Sequence, residues 1–203
     1  KWYRPSLRRL AHSFGPMNFG TESSTCMTAG WMAWKTASGQ LARPDMAHTD
    51  LYLGWAMNPY FSGYAKATAI EKRREKGMKV IIVDPKITPA VERLCDLYLR
   101  PYPGTDGALA WCMGNILIEN GWIDAAYSEK YVHGFEEYKA YVKQFNESNV
   151  EALTGVPYEQ VLEACRMIWE SSSMCINENS APIPHHKNGF QNYRAIMALL
   201  ALT

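Results

Sequence analysis

Cysteine is scarce in this sequence, and its spacing argues against two kinds of site. The 203 residues contain five cysteines, an odd number, and no Cys-x-x-Cys pair occurs. They are Cys26, Cys95, Cys112, Cys165 and Cys175. A disulfide framework needs paired cysteines, and a structural zinc or iron–sulfur site needs clustered ones. We therefore expect neither within this chain.

The sequence also lacks long apolar runs, an excess of one charge and a recognisable leader. Its longest apolar runs, such as residues 195–202, are far shorter than the ~20 residues needed to cross a bilayer. Lys plus Arg number 21 and Asp plus Glu number 20, so we predict no nucleic-acid partner and no direct membrane insertion. Residues 1–10 are basic but have no apolar core or cleavage site, so we predict no signal peptide in them.

The two common glycine-rich nucleotide motifs are absent as well. No Gly-x-Gly-x-x-Gly or P-loop pattern occurs, which argues against ordinary dinucleotide or P-loop binding. Residues 50–55 instead read as a buried strand with Gly54 near its end, and Asn58-Pro59 leads into a helix. Backbone N–H groups at such a helix start can bind a phosphate. The alternative is an unusual strand–helix turn with no ligand.

The segment Lys79–Asp106 organises the rest of the chain. Val80–Val83 reads as a buried strand, Thr88-Pro89 opens a helix, and Leu97–Leu99 reads as a second strand. Such a βαβ unit belongs to a parallel sheet, which binds ligands at the carboxyl ends of its strands. Asp84 and Asp106 fall at such ends, where a carboxylate can accept hydrogen bonds from a ribose or a base. The segment therefore predicts half of a nucleotide-binding site.

The alternation of strands and helices predicts the fold class and domain organisation. We expect an α/β fold with a mainly parallel Rossmann-like sheet, flanking helices and an added helical segment. Residues 1–203 are predicted to form one α/β domain, with the helical segment at 120–170 within it. Met174–Ile176 is predicted to be the last strand.

Candidate chemistry lies at one cysteine and at two adjacent histidines. Cys26 follows Ser-Ser-Thr at the start of a helix, where the helix dipole favours a thiolate that could act as nucleophile or metal ligand. The alternative is a small buried apolar residue, and the following Trp31–Trp34 stretch predicts core packing. His185 and His186 lie in a loop and lack the spacing of helical metal ligands. A role facing substrate or cofactor and a plain polar loop both stay open.

Taken together, these motifs resemble the catalytic subunit of the molybdopterin oxidoreductases of the dimethyl-sulfoxide-reductase superfamily. The resemblance covers nearly the whole chain. The motifs that carry it are Gly15–Asn18, the Cys26 loop, Gly54 with Asn58-Pro59, Val83–Lys86, Pro103–Asp106, Gly134–Tyr138, Leu153–Val156 and His186 with Asn188-Gly189. The resemblance implies a molybdenum (or tungsten) bis-molybdopterin guanine dinucleotide cofactor.

The resemblance also implies a role for each matching residue. Cys26 would be the metal ligand at the catalytic site, and His185 and His186 would line the catalytic site or the second pterin. The cofactor-binding residues would be Gly54, Asn58 and Pro59 at the pyrophosphate, Asp84, Pro85 and Thr88 at the ribose and nearby groups, and Gly104, Thr105 and Asp106 at the guanine.

The activity implied is a two-electron transfer to or from a small-molecule substrate at the cysteine-bound metal. Met27 stands where the family's formate dehydrogenases have histidine, so formate is disfavoured. Cysteine rather than serine at position 26 points away from dimethyl sulfoxide reductase itself. The alternatives are a non-redox hydratase or transhydroxylase of the same family, and a metal-free nucleotide-binding module.

The resemblance further implies that the chain is an internal fragment, inactive by itself. The parent protein would carry a 4Fe-4S cluster in its N-terminal part and a C-terminal domain that contacts the second dinucleotide. An electron-transfer iron–sulfur subunit is the expected protein partner. The compartment is left open between the periplasm, reached by folded export, and the cytoplasm.

Overall fold

A four-stranded parallel sheet carries the fold in the computed structural model, which describes residues 3–16, 20, 26–179 and 181–203. The strands are β1 (Leu51–Trp55), β2 (Lys79–Val83), β3 (Leu97–Leu99) and β4 (Met174–Glu178), in the order β3-β2-β1-β4. The prediction of an α/β fold with a mainly parallel sheet is confirmed. β1 is buried along its whole length, as expected of a strand with neighbours on both sides and helices on both faces.

Helices surround the sheet on both faces. In the described residues they are α1 (Tyr3–Phe14), α2 (Thr28–Ser38), α3 (Pro59–Ser62), α4 (Tyr64–Arg74), α5 (Pro89–Leu94), α6 (Asp106–Glu119), α7 (Ala125–Tyr131), α8 (Phe135–Val142), α9 (Val150–Thr154), α10 (Tyr158–Glu170) and α11 (Gly189–Leu199). None of the helices that the structure describes is long and apolar enough to span a membrane.

Alternation of side chains along β1 divides the core into two parts. Leu51, Leu53 and Trp55 point to the larger cluster, which includes the apolar face of α6. Tyr52 points to the smaller cluster, together with Ile70 of α4. This division follows from the two-residue period of a strand. The continuous apolar residues of α6 are explained by its contacts with α8, α9, α10 and α11 as well as its burial near the sheet.

The strand order reverses direction at β1. The chain passes from β1 to β2 and β3 on one side, and β4 pairs with the other side of β1. In register, Trp55 lies beside Val83 and beside Glu178, and Val83 lies beside Leu99. The last residues of all the strands therefore meet at one edge, the place where open parallel sheets bind ligands.

The helix predicted after Asn58-Pro59 is divided into two in the structure. The chain forms the short helix α3 directly after Asn58, is interrupted at Gly63, and continues as α4. Pro59 at the first turn of α3 explains its early start, because the fixed φ of proline suits that position.

Candidate functional site

Asp106, the first residue of α6, lies beside the end of β1. Its Oδ1 accepts a hydrogen bond of 2.8 Å from Nε1 of Trp55, and the carboxylate is buried. Burial raises the pKa of Asp106, while the Trp55 bond opposes that rise. A fixed, largely dehydrated carboxylate is thus presented at the carboxyl edge of the sheet.

Asp84, directly after β2, lies at the same edge. Its backbone N–H donates to the carbonyl of Leu99 at 3.1 Å, and its Oδ1 accepts from the backbone N–H of Lys86 at 2.8 Å. Burial raises the pKa of Asp84, and the charge of Asp106 adds to that rise. The structure therefore brings the two predicted carboxylates into one electrostatic environment.

Gly104 lies between Asp106 and the loop that carries His186. Its backbone has a φ of +87°, and a Cβ at this position would lie 3.2 Å from Nδ1 of His186. Its carbonyl accepts a 3.1 Å hydrogen bond from Nδ2 of Asn192 in α11. The hydroxyl of Thr105 donates to the carbonyl of Tyr102 at 2.8 Å. The turn at Gly104 is thus fixed by a hydrogen bond from α11, and the ring of His186 lies close to it.

The turn after β1 contains a buried side-chain oxygen, Oδ1 of Asn58, that has no hydrogen-bond partner among the described residues. The carbonyl of Asn58 accepts hydrogen bonds from the backbone of Phe61 and Ser62, but its side chain caps nothing. The preceding Ala56 has a φ of +54°, a strained conformation of the kind that clusters at functional sites. A buried amide oxygen without a partner among the described residues is a candidate contact for a ligand that carries a hydrogen-bond donor.

Three other predicted cofactor residues have evident structural roles. Gly54 lies inside β1, and a Cβ there would lie 2.8 Å from the ring of Tyr52. Thr88 caps α5, since its hydroxyl accepts from the N–H of Val91 at 3.4 Å. The carbonyl of Pro85 accepts from Nε of Arg100 at 3.2 Å. Their roles in cofactor binding stay predictions.

Cys26 lies just before α2, as predicted. It is half-buried, and the next residue, Met27, is the N-cap of α2. The Ser-Ser-Thr residues that precede Cys26, like Met17 and Asn18 of the Gly15–Asn18 motif, lie outside the described residues. In the part of the chain that the structure describes, no group of three or more His, Cys, Asp or Glu side chains could hold a metal.

In α2, the Trp31–Trp34 stretch divides between core and surface. Trp34 is buried, but Trp31 is 43% exposed, which contradicts the prediction that the whole stretch is core.

His185 and His186 are exposed in the loop before α11. His186 lies against Gly104, in the part of the edge predicted to hold guanine. The predicted roles of both histidines at the catalytic site stay predictions. Met27, Trp34 and Glu178 line a cavity of about 360 Å³, and neither histidine ring lines it.

Sequence reasoning missed three residues that the structure places at the edge. Trp55 and Asn192 hold Asp106 and Gly104, and Glu178 ends β4 beside that cavity. Trp55 could have been found as the last residue of a strand that faces the start of α6. Asn192 and Glu178 carry no local signal, since their partners come from distant parts of the chain.

Comparison with known proteins gives a consistent result. The family model for molybdopterin oxidoreductase matches residues 5–203. The chain is 32% identical over 199 residues to the probable oxidoreductase YoaE of Bacillus subtilis, covering 97% of this chain and 29% of that protein. It is 29% identical over 160 residues to formate dehydrogenase H of Escherichia coli, covering 78% of this chain and 22% of that protein.

A solved structure shares the fold. Acetylene hydratase from Pelobacter acetylenicus superposes with a TM-score of 0.82 at 24% identity, covering 97% of this chain and 27% of that one. The chain thus spans less than a third of the length of these relatives.

Proposed function

This chain belongs to the molybdopterin oxidoreductase family, and on that basis we propose that it forms the dinucleotide-binding part of a catalytic subunit. The complete protein would hold a molybdenum (or tungsten) bis-molybdopterin guanine dinucleotide and perform two-electron redox chemistry on a small substrate. The cofactor would supply the redox chemistry, and the protein would bind it, orient it and shape the pocket.

The observation that carries the proposal is the buried carboxylate of Asp106, fixed by Trp55 at the edge of the sheet. The edge of a guanine presents N–H donors, and a carboxylate is the acceptor that binds such donors most strongly. The close approach of His186 to Gly104 would provide a ring beside the base. This arrangement supports guanine at Gly104, Thr105 and Asp106.

The other half of the nucleotide would lie along the ends of β1 and β2. Asp84 is a buried acceptor, suited to the hydroxyls of a ribose. The unpaired Oδ1 of Asn58 is an acceptor and fits an O–H or N–H donor of the cofactor next to the ribose, while the turn into α3 would face the pyrophosphate. The residues present therefore fit a dinucleotide that extends over the carboxyl edge.

Cys26 would supply the protein's thiolate to the metal. With no protein-only metal cluster in the described residues, its further sulfur ligands would come from the two pterins. We also propose that the complete protein carries a 4Fe-4S cluster and an electron-transfer partner, in line with relatives that are named as chains or subunits.

The test uses the full-length protein, purified anaerobically, with Cys26→Ser as the variant and Cys95→Ser as the control. Cys95 is also half-buried but lies away from the edge, after α5. We expect one molybdenum or tungsten and two guanine nucleotides per wild-type chain. Cys26→Ser should lower or alter the metal, while Cys95→Ser should leave it unchanged.

The same preparation separates the alternatives. Exchange of electrons between the metal and an artificial dye supports the redox assignment, whereas bound metal that turns over substrate without net electron exchange would indicate a hydratase or transhydroxylase. A well-folded protein without metal or guanine nucleotide would overturn the proposal and leave a nucleotide-binding module.

A further inference from the structure

A second cavity, of about 580 Å³, lies at the end of α6 that is far from Asp106. We name it the α6 cavity. It is lined by Asn115, Ile116 and Glu119 of α6, by the loop before α9, and by Tyr158, the first residue of α10. At about 1.5 Å per helical residue, its α6 residues lie roughly 14–20 Å along the helix from Asp106. The cavity is therefore separate from the edge proposed to bind the dinucleotide, and its volume is usual for a small-molecule site.

Asn115 is the residue that points to a ligand. It lines the cavity, yet only 1% of its surface is exposed. Its Nδ2 is buried and has no hydrogen-bond partner among the described residues. Folded proteins rarely leave a buried N–H donor unpaired, because its lost hydration is then not replaced. A ligand that presents a carbonyl oxygen to Asn115 would satisfy this donor, whereas a metal ion alone would not.

Two carboxylates make the α6 cavity negative. Glu119 and Glu147 line it, and its lining residues within the described chain include no Lys, Arg or His. Neither carboxylate forms an ion pair with another described residue. Glu119 is also the last residue of α6, whose last turn contains no basic residue, so the negative end of the helix dipole adds to its charge. The cavity therefore favours a cation.

Tyr158 adds a hydroxyl donor at the start of α10. Burial, and then Cys112 and the charges of Glu147 and Glu119, raise the pKa of Tyr158, so its hydroxyl keeps the proton. The positive end of the α10 dipole does not reverse the charge of the cavity, because Glu159 lies in the first turn of that helix. The cavity thus combines neutral donors with anionic acceptors.

The loop that carries Glu147 is fixed to α6. Oδ1 of Asn149 accepts a 3.1 Å hydrogen bond from the backbone N–H of Asn146. The ring of Phe145 packs on that of Trp111 in α6, with 5.0 Å between the ring centroids. A ligand would therefore meet the carboxylate of Glu147 on an ordered loop, and binding would require little further ordering of the chain.

We propose that the α6 cavity binds a small guanidinium compound that also carries a neutral carbonyl group. The guanidinium has five N–H donors, enough for the carboxylates of both Glu119 and Glu147. The carbonyl accepts from Nδ2 of Asn115, and the aliphatic body packs on Ile116 and the ring of Tyr158. A carboxylate in place of the carbonyl would be repelled by the two glutamates. This inference does not rest on the proposed function, since none of the residues predicted to bind the cofactor lines the cavity.

The experiment measures binding of L-argininamide to the full-length protein by isothermal titration calorimetry at low salt. Agmatine has the same guanidinium and amine but no carboxamide, and citrullinamide has a neutral urea in place of the guanidinium. The variants are Asn115→Leu and Glu119→Gln. The control is Glu170→Gln, because Glu170, like Glu119, is the exposed last residue of its helix.

We expect argininamide to bind wild-type protein about tenfold more tightly than agmatine or citrullinamide does. Asn115→Leu should weaken argininamide binding about tenfold and leave agmatine nearly unchanged, since agmatine lacks the group that meets Nδ2. Glu119→Gln should weaken the binding of both guanidinium compounds by roughly threefold or more, and Glu170→Gln should have no effect. The melting temperature of ligand-free Asn115→Leu should not fall, because the variant removes an unpaired buried polar group.

Three outcomes would overturn the inference. These are no argininamide binding to wild-type protein, equal binding of argininamide and agmatine, and equal argininamide binding by wild type and Asn115→Leu. Tighter binding of Nα-acetylarginine methylamide, which represents an arginine within a peptide, would overturn the assignment to a small molecule. Metal and guanine content, measured on the same samples, test the proposed function separately. Argininamide binding that depends on Asn115 in a protein without metal would refute the proposed function alone.

Discussion

Trp55 and Asp106, 51 residues apart in the chain, are joined by a 2.8 Å hydrogen bond between the indole Nε1 and the carboxylate Oδ1. The bond links the end of β1 to the start of α6, and both residues are buried. It orients the carboxylate on which the proposed guanine site depends.

Replacement of Trp55 tests how much this hydrogen bond contributes to the free energy of unfolding. Trp55→Phe removes the donor and leaves a buried carboxylate with one partner fewer, so we expect a loss of about 1.5–3 kcal/mol in the free energy of unfolding, before any cavity term. Hydrogen exchange of the backbone amides in α6, followed in the full-length protein, measures this loss of stability locally. Trp169→Phe, at a position that is 49% exposed, should change exchange very little. Equal protection in the two variants would contradict the structural role of the bond.

The two carboxylates at the edge predict a pH dependence. Burial raises the pKa of both Asp84 and Asp106 above the usual 3.8, so the folded chain binds these protons more tightly than the unfolded chain does. Their contribution to stability is therefore greatest below pH 3.8 and is lost as the pH rises through the raised pKa values. The Asp106→Asn variant lacks the part of this loss that comes from Asp106. The free energy of unfolding of the variant, relative to that of wild type, should therefore increase with pH.

The measurement is hydrogen exchange or unfolding of cofactor-free protein between about pH 4 and pH 5, below the main titration range of histidine. Asp45→Asn is the control of opposite sign, because the hydrogen bond between Asp45 and His48 lowers the pKa of Asp45. Its stability relative to wild type should not rise with pH. A constant difference between Asp106→Asn and wild type over this range would refute the prediction.

Gly104 and Gly39 form a matched pair that isolates the contact with His186. Both have positive φ, +87° and +81°, but a Cβ at Gly39 would meet nothing within 4 Å. Gly39→Ala should cost only the backbone strain, roughly 1–2 kcal/mol. Gly104→Ala should cost that amount and also displace the His186 ring, with loss of guanine nucleotide from the full-length protein. Adding His186→Ala to Gly104→Ala should restore the stability lost to crowding, and failure to do so would disprove the contact.

The sequence predicted the strands and the carboxyl edge well, because both follow from local patterns. Buried β-branched runs and the residues that end them are readable without knowledge of neighbours, so Asp84 and Asp106 were found. The support for Gly104 was not readable, since it comes from Asn192, 88 residues later. That contact depends on the close packing of α11 on α6, where a Cβ at Gly107 would lie 2.6 Å from Oδ1 of Asn192. Glu178 was missed for the same reason.

The reactivity of the cysteines gives a last prediction. Burial raises the pKa of Cys95 to about 11 and that of Cys112 to about 12, and it also raises the pKa of Cys165 and Cys175. Because the thiolate is the nucleophile, these thiols should react slowly with iodoacetamide near neutral pH. Cys26, half-buried in the turn before α2, should be alkylated at least about tenfold faster than Cys95 in cofactor-free protein.

Peptide mapping by mass spectrometry follows each cysteine separately during the reaction. Bound cofactor should protect Cys26 and leave the rate at Cys95 unchanged, since only Cys26 is proposed to hold the metal. Cys26→Ser should remove the fast-reacting site without exposing another. If Cys95 reacted first, the thiol before α2 would not be the accessible one. If cofactor did not slow the reaction at Cys26, that thiol would not be the metal ligand.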